Sequence, residues 1–197
     1  MEAARTGMSD QAAELSSAES LRGEVARLRA EIEQLTARVQ QLDELAHQDS
    51  LIDMPNRRGF MRQLHALIGR VQRYGEHGAL LFVDLDGLKL INDSFGHPAG
   101  DRALIQVADL LLGGVRQGDC VARLGGDEFG ILLAHADQAS AEDTAARLVD
   151  RIADCDFSHD GRALPLSVAI GVAEILADDE PADVLARADA AMYSKKA

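Results

Sequence analysis

Five consecutive apolar residues, Ala79-Leu80-Leu81-Phe82-Val83, run straight into Asp84-Leu85-Asp86. A run that short, with no polar interruption, reads as a strand covered on both faces. Such a strand needs helices on both sides of its sheet, and the flanking sequence supplies them. Pro55 suits the first turn of a helix whose apolar positions are Phe60, Leu64, Leu67, Ile68 and Val71, stopping near Gly75. Beyond the strand, a loop with Asn92, Gly96, Pro98 and Gly100 leads into a helix carrying Leu104, Val107, Leu111 and Leu112. Residues 120–124 and 129–133 read as two strands joined by Gly125-Gly126-Asp127-Glu128, a glycine pair being a hairpin signal because it tolerates positive φ. A helix over 140–153, a strand over 166–172 and a helix over 182–195 complete the pattern. Strands alternating with helices predict an α/β sandwich, its sheet made partly antiparallel by the hairpin.

A different periodicity precedes this region. Leu21, Val25, Leu28, Ile32, Leu35, Val39 and Leu42 alternate spacings of four and three, a heptad repeat. With the leucines at d, the a positions are Val25, Ile32 and Val39, all β-branched, which favours a parallel two-stranded coiled coil. Glu24 at g and Arg29 at the following e are of opposite sign across such an interface. The same stripe also suits one amphipathic helix lying on its own domain. The expected organisation is a flexible leader over 1–20, a dimerisation stalk over 21–46 and a globular domain over 47–197.

Composition narrows the partners. A net charge of −13 argues against nucleic acid, whose phosphate backbone requires a basic face. It leaves nucleotides open, because acidic sites hold the metal ions that accompany triphosphates. Cys120 and Cys155 are the only cysteines and form no CxxC pair, so a reducing cytoplasm is expected rather than a disulfide framework or zinc site. No stretch reaches the ~20 apolar residues of a membrane span, so no membrane partner is expected.

Asp84 stands at the C-terminal end of a buried strand, where α/β folds place ligand groups, and Asp127 and Glu128 sit on a tight turn between two other strands. If those strands neighbour the first, three carboxylates converge at one rim. Like charges that close repel unless cations hold them. Hard oxygen ligands suit Mg²⁺ or Mn²⁺, and a two-metal carboxylate site suits in-line phosphoryl transfer. Gly125 and Gly126 let the backbone approach a phosphate chain with no Cβ in the way. Spacing alone also allows a solvated hairpin that holds no ion. Likewise Asn92 and Asp101 read by themselves as a loop turn and a helix N-cap, His97 as a loop histidine, and Arg116-Gln117-Gly118-Asp119 as a polar turn.

Arg123-Leu124-Gly125-Gly126-Asp127-Glu128-Phe129 resembles the signature of the GGDEF diguanylate cyclase family. Residues 84–101 are similar to that family's substrate segment, 49–58 to its opening motif, and 167–172 and 188–196 to its final strand and helix, so the resemblance covers nearly everything from His47 onward. It implies a five-stranded mixed sheet flanked by helices, like the palm of nucleotide cyclases and polymerases. It implies a dimer that condenses two GTP into cyclic di-GMP, releasing two pyrophosphates. Two Mg²⁺ or Mn²⁺ per active site would be held by Asp84, Asp127, Glu128 and the main-chain carbonyl of Leu85. Asp127 and Glu128 would be the catalytic pair, Asp127 accepting the proton of the ribose 3′-hydroxyl.

The resemblance further implies that Asn92 and Asp101 read guanine, a carboxylate accepting from the ring N–H and the exocyclic amine together. Leu88, Lys89, His97, Gly125, Gly126 and Lys196 fall on other substrate positions, Lys196 on that of a phosphate-contacting lysine. Arg116 and Asp119 match the family's RxxD inhibitory motif, with Arg147 as a second arginine, which implies inhibition by bound cyclic di-GMP. Ser50, Ile52 and Asp53 stand where the family commonly has Pro, Thr and Gly, and Leu88 replaces a frequent aromatic residue; neither departure removes a metal ligand. The competing functions are a GGDEF module that binds GTP or cyclic di-GMP without turnover, a coiled-coil interaction protein, and a cyclase acting on one ATP. The Asn92 and Asp101 pair disfavours the last.

Overall fold

A computed structural model describes residues 23–25, 27–39, 43 and 46–196. The chain divides into two compact units, Met1–Leu45 and Ala46–Ala197. In the first, residues 23–25 and 27–39 are helical (α1), and Val25, Leu28, Ile32, Leu35 and Val39 are exposed along it. The expected leader and the heptad positions Leu21 and Leu42 lie outside the described residues.

In the second unit, α2 (Arg57–Tyr74) begins at an Asn56 cap. The Asn56 side-chain oxygen accepts from the N–H groups of Arg58 and Gly59, at 2.9 and 3.1 Å. Its Nδ2 donates to the carbonyls of Ala46 and Gln48, at 3.0 and 2.9 Å, tying the helix start to the chain that enters it. Pro55 therefore precedes the cap instead of opening the first turn. Gly75 closes the helix in the left-handed region, φ 66°. Then come β1 (Gly78–Leu85), α3 (Leu88–Phe95), α4 (His97–Leu112), β2 (Cys120–Arg123), β3 (Glu128–Ala134) and α5 (Gln138–Ala153). The short strands β4 (Ser158–His159) and β5 (Arg162–Ala163), then β6 (Val168–Glu174) and α6 (Pro181–Lys196), finish the unit.

The sheet order is β2-β3-β1-β6, and every neighbouring pair is antiparallel. The expected five-stranded mixed sheet is thus corrected to four antiparallel strands among the described residues, with β4 and β5 forming a separate two-stranded sheet. The reason is topological. Each βαβ unit pairs like-directed strands, β1 with β2 and β3 with β6, but a strand of the other unit is inserted between them, the split βαβ arrangement.

Alternation along β1 divides the core in two. Leu81, Val83 and Leu85 face α3, α4 and α5, packing with Leu104, Val107, Leu148 and Ile152. Leu80 and Phe82 face α2 and α6, packing with Phe60, Leu64, Ala188 and Met192. On that second face Gly171 of β6 lies directly under α6. A Cβ there would run into the Ala188 carbonyl and the Met192 amide, so glycine sets how closely α6 approaches.

Candidate active site

The centre of the sheet brings the acidic residues together. Register places Asp84, near the end of β1, opposite Glu128, the first residue of β3. One residue on, the Leu85 N–H donates to the Asp127 carbonyl at 2.9 Å, which pins the β2–β3 turn to the mouth of β1. The turn closes on itself through the Leu124 N–H, which donates to the Glu128 carbonyl at 2.8 Å. Contrary to expectation, neither Gly125 nor Gly126 has positive φ. Glycine serves space at Gly125, where a Cβ would stand 2.7 Å from Glu128 Oε2.

Arg123 fixes the turn from behind. Its Nε donates to the Gly125 carbonyl at 3.1 Å and its Nη2 to the Gly126 carbonyl at 2.8 Å. Its Nη1 meets Asp49 Oδ1 at 3.3 Å, a largely buried ion pair. That same Asp49 oxygen caps the N–H groups of Leu51 and Ile52. One guanidinium therefore ties the segment before α2 to the backbone of the acidic turn.

Crowding of negative charge is visible at Glu128. Burial, then the neighbouring Asp127 and Asp84 carboxylates, push its carboxyl above the usual range, while Arg57 pulls it down. At Asp84 the charge is answered by Lys196 at the end of α6, whose Nζ lies 2.5 Å from Asp84 Oδ1 and 3.3 Å from Asp86 Oδ1. Burial lowers the affinity of Lys196 for its proton, but the bonds to Asp84 and Asp86 outweigh this and hold the ammonium above the usual lysine range. As the side chains stand, no three His, Cys, Asp or Glu among the described residues are gathered tightly enough to hold an ion. The donor set is nonetheless one of hard oxygens on adjoining backbone positions, and an ammonium already rests on it. These residues fit a divalent cation at Asp84, the Leu85 carbonyl, Asp127 and Glu128.

The remaining expected residues fall into two groups. Leu88, Lys89 and Asn92 lie on α3, and His97 and Asp101 on α4, both against the sheet face that carries Leu81 and Val83. Asn92 is thus in a helix, not a loop turn, and Asp101 is inside α4 instead of capping it; Gly96 precedes that helix with no side-chain cap. The Asn92 carboxamide is lodged against Gly100, where a Cβ would collide with its oxygen. Away from the acidic rim, Arg116, Asp119 and Arg147 line one cavity of about 120 Å³. There Asp119 accepts the Arg116 N–H at 2.9 Å and the Ala134 N–H at 3.1 Å, which fixes the turn before β2.

Sequence reasoning missed Asp86, the first residue after β1, which accepts Ser167 Oγ at 2.9 Å and contacts Lys196. It also missed Arg57 and Arg58, which line a cavity with Gly125 and Gly126.

These observations define a class: a split-βαβ domain, helices on both faces, with acidic residues crowded where its two central strands meet the turn of a hairpin. The family model described as "Diguanylate cyclase, GGDEF domain" matches residues 46–197, and the chain belongs to that family. It is 43% identical over 157 residues to diguanylate cyclase TpbB of Pseudomonas aeruginosa (strain UCBPP-PA14), 77% of this chain and 35% of that protein. It is 38% identical over 154 residues to the bifunctional diguanylate cyclase/cyclic di-GMP phosphodiesterase MucR of Pseudomonas aeruginosa PAO1, 78% of this chain and 22% of that one. The chain thus spans about a third or less of the length of these two curated relatives. Among solved structures it is similar to the coiled coil and GGDEF domain of DgcB from Caulobacter crescentus in complex with c-di-GMP. That match has a TM-score of 0.81 and 26% identity, over 90% of this chain and 94% of that one.

Proposed function

We propose that this chain is a diguanylate cyclase that condenses two GTP into cyclic di-GMP as a homodimer in the cytoplasm, and that its product inhibits it at Arg116, Asp119 and Arg147. The observation that carries the reading is the register setting Asp84 opposite Glu128 while the Asp127 carbonyl is tied to the Leu85 N–H. Asp84, Asp127, Glu128 and the Leu85 carbonyl would hold Mg²⁺ or Mn²⁺, two per site, which when bound supply charge stabilisation and a more acidic ribose hydroxyl. Asn92 and Asp101 orient guanine beside the rim, with Leu88, Lys89 and His97 around it. Asp127 accepts the 3′-hydroxyl proton, and Lys196, released from Asp84, meets the phosphates. Gly125 and Gly126 leave the backbone open to the phosphate chain. The DgcB structure, which joins a coiled coil to a GGDEF domain and contains c-di-GMP, supports a stalk and the binding of product.

Incubating the protein with GTP and Mg²⁺ and resolving the products by chromatography tests the reading. Wild type is expected to yield cyclic di-GMP, and Asp127→Asn to lose at least about a hundredfold in turnover. An active Asp127→Asn variant, or a wild type that leaves GTP intact, rejects it. Added cyclic di-GMP is expected to slow wild type and to leave Arg116→Ala unaffected; equal slowing of both removes the RxxD site from the account.

A further inference from the structure

None of these roles uses Asp86, although both of its carboxylate oxygens are engaged. Its main-chain N–H donates to the Ser167 carbonyl at 2.9 Å, carrying the β1–β6 pairing one residue past Leu85 and Val168. Ser167 Oγ in turn donates to Asp86 Oδ2 at 2.9 Å. Main chain and side chain thus fix Asp86 against one serine. Its other oxygen, Oδ1, lies 3.3 Å from Lys196 Nζ, while the same ammonium sits 2.5 Å from Asp84 Oδ1. One cation is shared, unequally, between two carboxylates.

The two carboxylates differ in what else is asked of them. Asp84 stands opposite Glu128 and is one of the groups that fit a divalent cation. Asp86 faces Ser167 and Lys196 instead. An ammonium and a divalent cation on one carboxylate repel each other, so Lys196 must yield Asp84 when the site fills. Without a second carboxylate the lysine would lose its ion pair outright, and that loss would count against binding of the cation. Nothing packs Lys196 in place. It is the last residue of α6, where helix ends fray at little cost, and with Asp86, Val168 and Ile170 it lines a cavity of about 610 Å³. Its three N–H groups let it hold one carboxylate and still face another oxygen.

We propose that Asp86 is a positioning residue that takes Lys196 over from Asp84 when a divalent cation binds there. Ser167 sets Asp86 for this by occupying Oδ2 and leaving Oδ1 to the ammonium. The exchange lowers the cost of displacing Lys196 from Asp84. It also keeps the lysine paired at the rim, with N–H groups free for the phosphate oxygens of GTP. The part played by the phosphates rests on the cyclase reading above; the exchange itself rests on the cation site at Asp84. If Asp86 were only one more negative charge attracting the cation, the coupling would run the other way. Lys196 would then neutralise it, and removing Asp86 would matter more once Lys196 is gone. In the exchange, removing Asp86 matters more while Lys196 is present.

The test measures Mn²⁺ binding to the whole chain without nucleotide, from the paramagnetic resonance of the free ion. It compares wild type, Asp86→Asn, Lys196→Ala and the two changes combined, with Asp84→Asn setting the background of ions held elsewhere. Lys196→Ala is expected to bind Mn²⁺ at least about threefold tighter, since the competing ammonium is gone. Asp86→Asn is expected to weaken binding by a factor at least about threefold larger with Lys196 present than in the Lys196→Ala chain. An equal or larger loss in the Lys196→Ala chain would overturn the proposal, as would a Lys196→Ala chain that binds no tighter than wild type. Absence of binding at about 10 mM Mn²⁺ in both wild type and Lys196→Ala would overturn it too. Should Asp86→Asn misfold by circular dichroism, Ser167→Ala decides: a loss of about threefold with Lys196 present is expected, and unchanged binding overturns the proposal. Product from GTP and Mg²⁺ is scored separately. A wild type that makes no cyclic di-GMP rejects the cyclase reading, whereas the ratio of Mn²⁺ losses decides the exchange by itself.

Discussion

At the residue scale, the site depends on side chains whose neighbours leave them a single place to go. Asn92 is the clearest case. Its carboxamide lies against Gly100 on the next helix, and any Cβ at residue 100 would strike the Asn92 oxygen. The Gly100→Ala variant must therefore push Asn92 off its position or separate α3 from α4. If Asn92 reads guanine, this change is expected to raise the KM for GTP about tenfold, roughly the loss of one good hydrogen bond. Asn92→Ala should have the same effect, and combining the two should add little, because both remove one contact. Full additivity in that double-mutant cycle would show that Gly100 acts elsewhere. Arg123 works in the same spirit, since it fills the carbonyls of Gly125 and Gly126 while holding Asp49. The turn that presents Asp127 is thereby braced from the segment that leads into α2.

At the element scale, α6 is held by an electrostatic clasp as well as by apolar contacts. Arg187 reaches Asp179 through both terminal guanidinium nitrogens, Nη1 and Nη2, at 2.7 and 2.6 Å, and the carbonyl of Glu174 at the end of β6, at 2.8 Å. Asp179 also accepts the Leu176 N–H at 2.7 Å. The Arg187 bonds, opposed by burial and aided by the Leu176 N–H, hold the Asp179 carboxyl below the usual carboxylate range. A carboxyl depressed in the folded state stabilises fully above its unfolded pKa, about 3.9, and loses that contribution as pH falls through the folded value. Asp179→Asn is thus expected to cost about 1 kcal/mol at pH 7, at the low end because Arg187 is partly exposed to solvent. The gap in urea midpoint between variant and wild type should narrow below about pH 4. A gap unchanged at pH 3 would assign the clasp to shape alone. Which elements were legible follows from the same physics. β1 announced itself because both its faces are buried and every position but Asp84 is apolar or glycine. Helix α3 did not: it is eight residues long, bracketed by Gly87 and Gly96, buries only Leu88 and Ile91, and has no side-chain cap. The β4–β5 hairpin has two-residue strands, too short for alternation to show. Asp84, Asp127 and Glu128 were readable because a strand end and a turn fix where a carboxylate stands. Arg57 and Arg58 were not, because their meaning depends on a hairpin turn far along the chain lying against the start of α2.

At the scale of the whole molecule, the proposed reaction would require two such domains to meet. Cyclic di-GMP has a twofold axis, so under the cyclase reading each GTP would present a nucleophile to the other, and one acidic rim per domain would not supply both. Helix α1 carries Val25, Leu28, Ile32, Leu35 and Val39 at heptad spacing, between 42% and 65% exposed in the single chain. A face of that kind costs little when buried against a second copy, and β-branched a positions favour the parallel pair that would deliver both domains to one end. Tethering then raises the effective concentration of one rim at the other with no contact between the domains themselves. The Ile32→Glu variant tests this at the middle of the stripe. Each chain would forfeit about 2 kcal/mol of apolar burial and set like charges across the seam, so the dimer should weaken by about a thousandfold. Sedimentation should then find monomers at micromolar concentration, and turnover per chain should fall at low concentration and recover as concentration rises. Replacing the stalk of that variant with an unrelated parallel two-stranded coil in the same register should restore activity, which separates lost pairing from a damaged domain. A monomeric Ile32→Glu chain with undiminished turnover at nanomolar concentration would mean that the stalk is not what brings the two rims together.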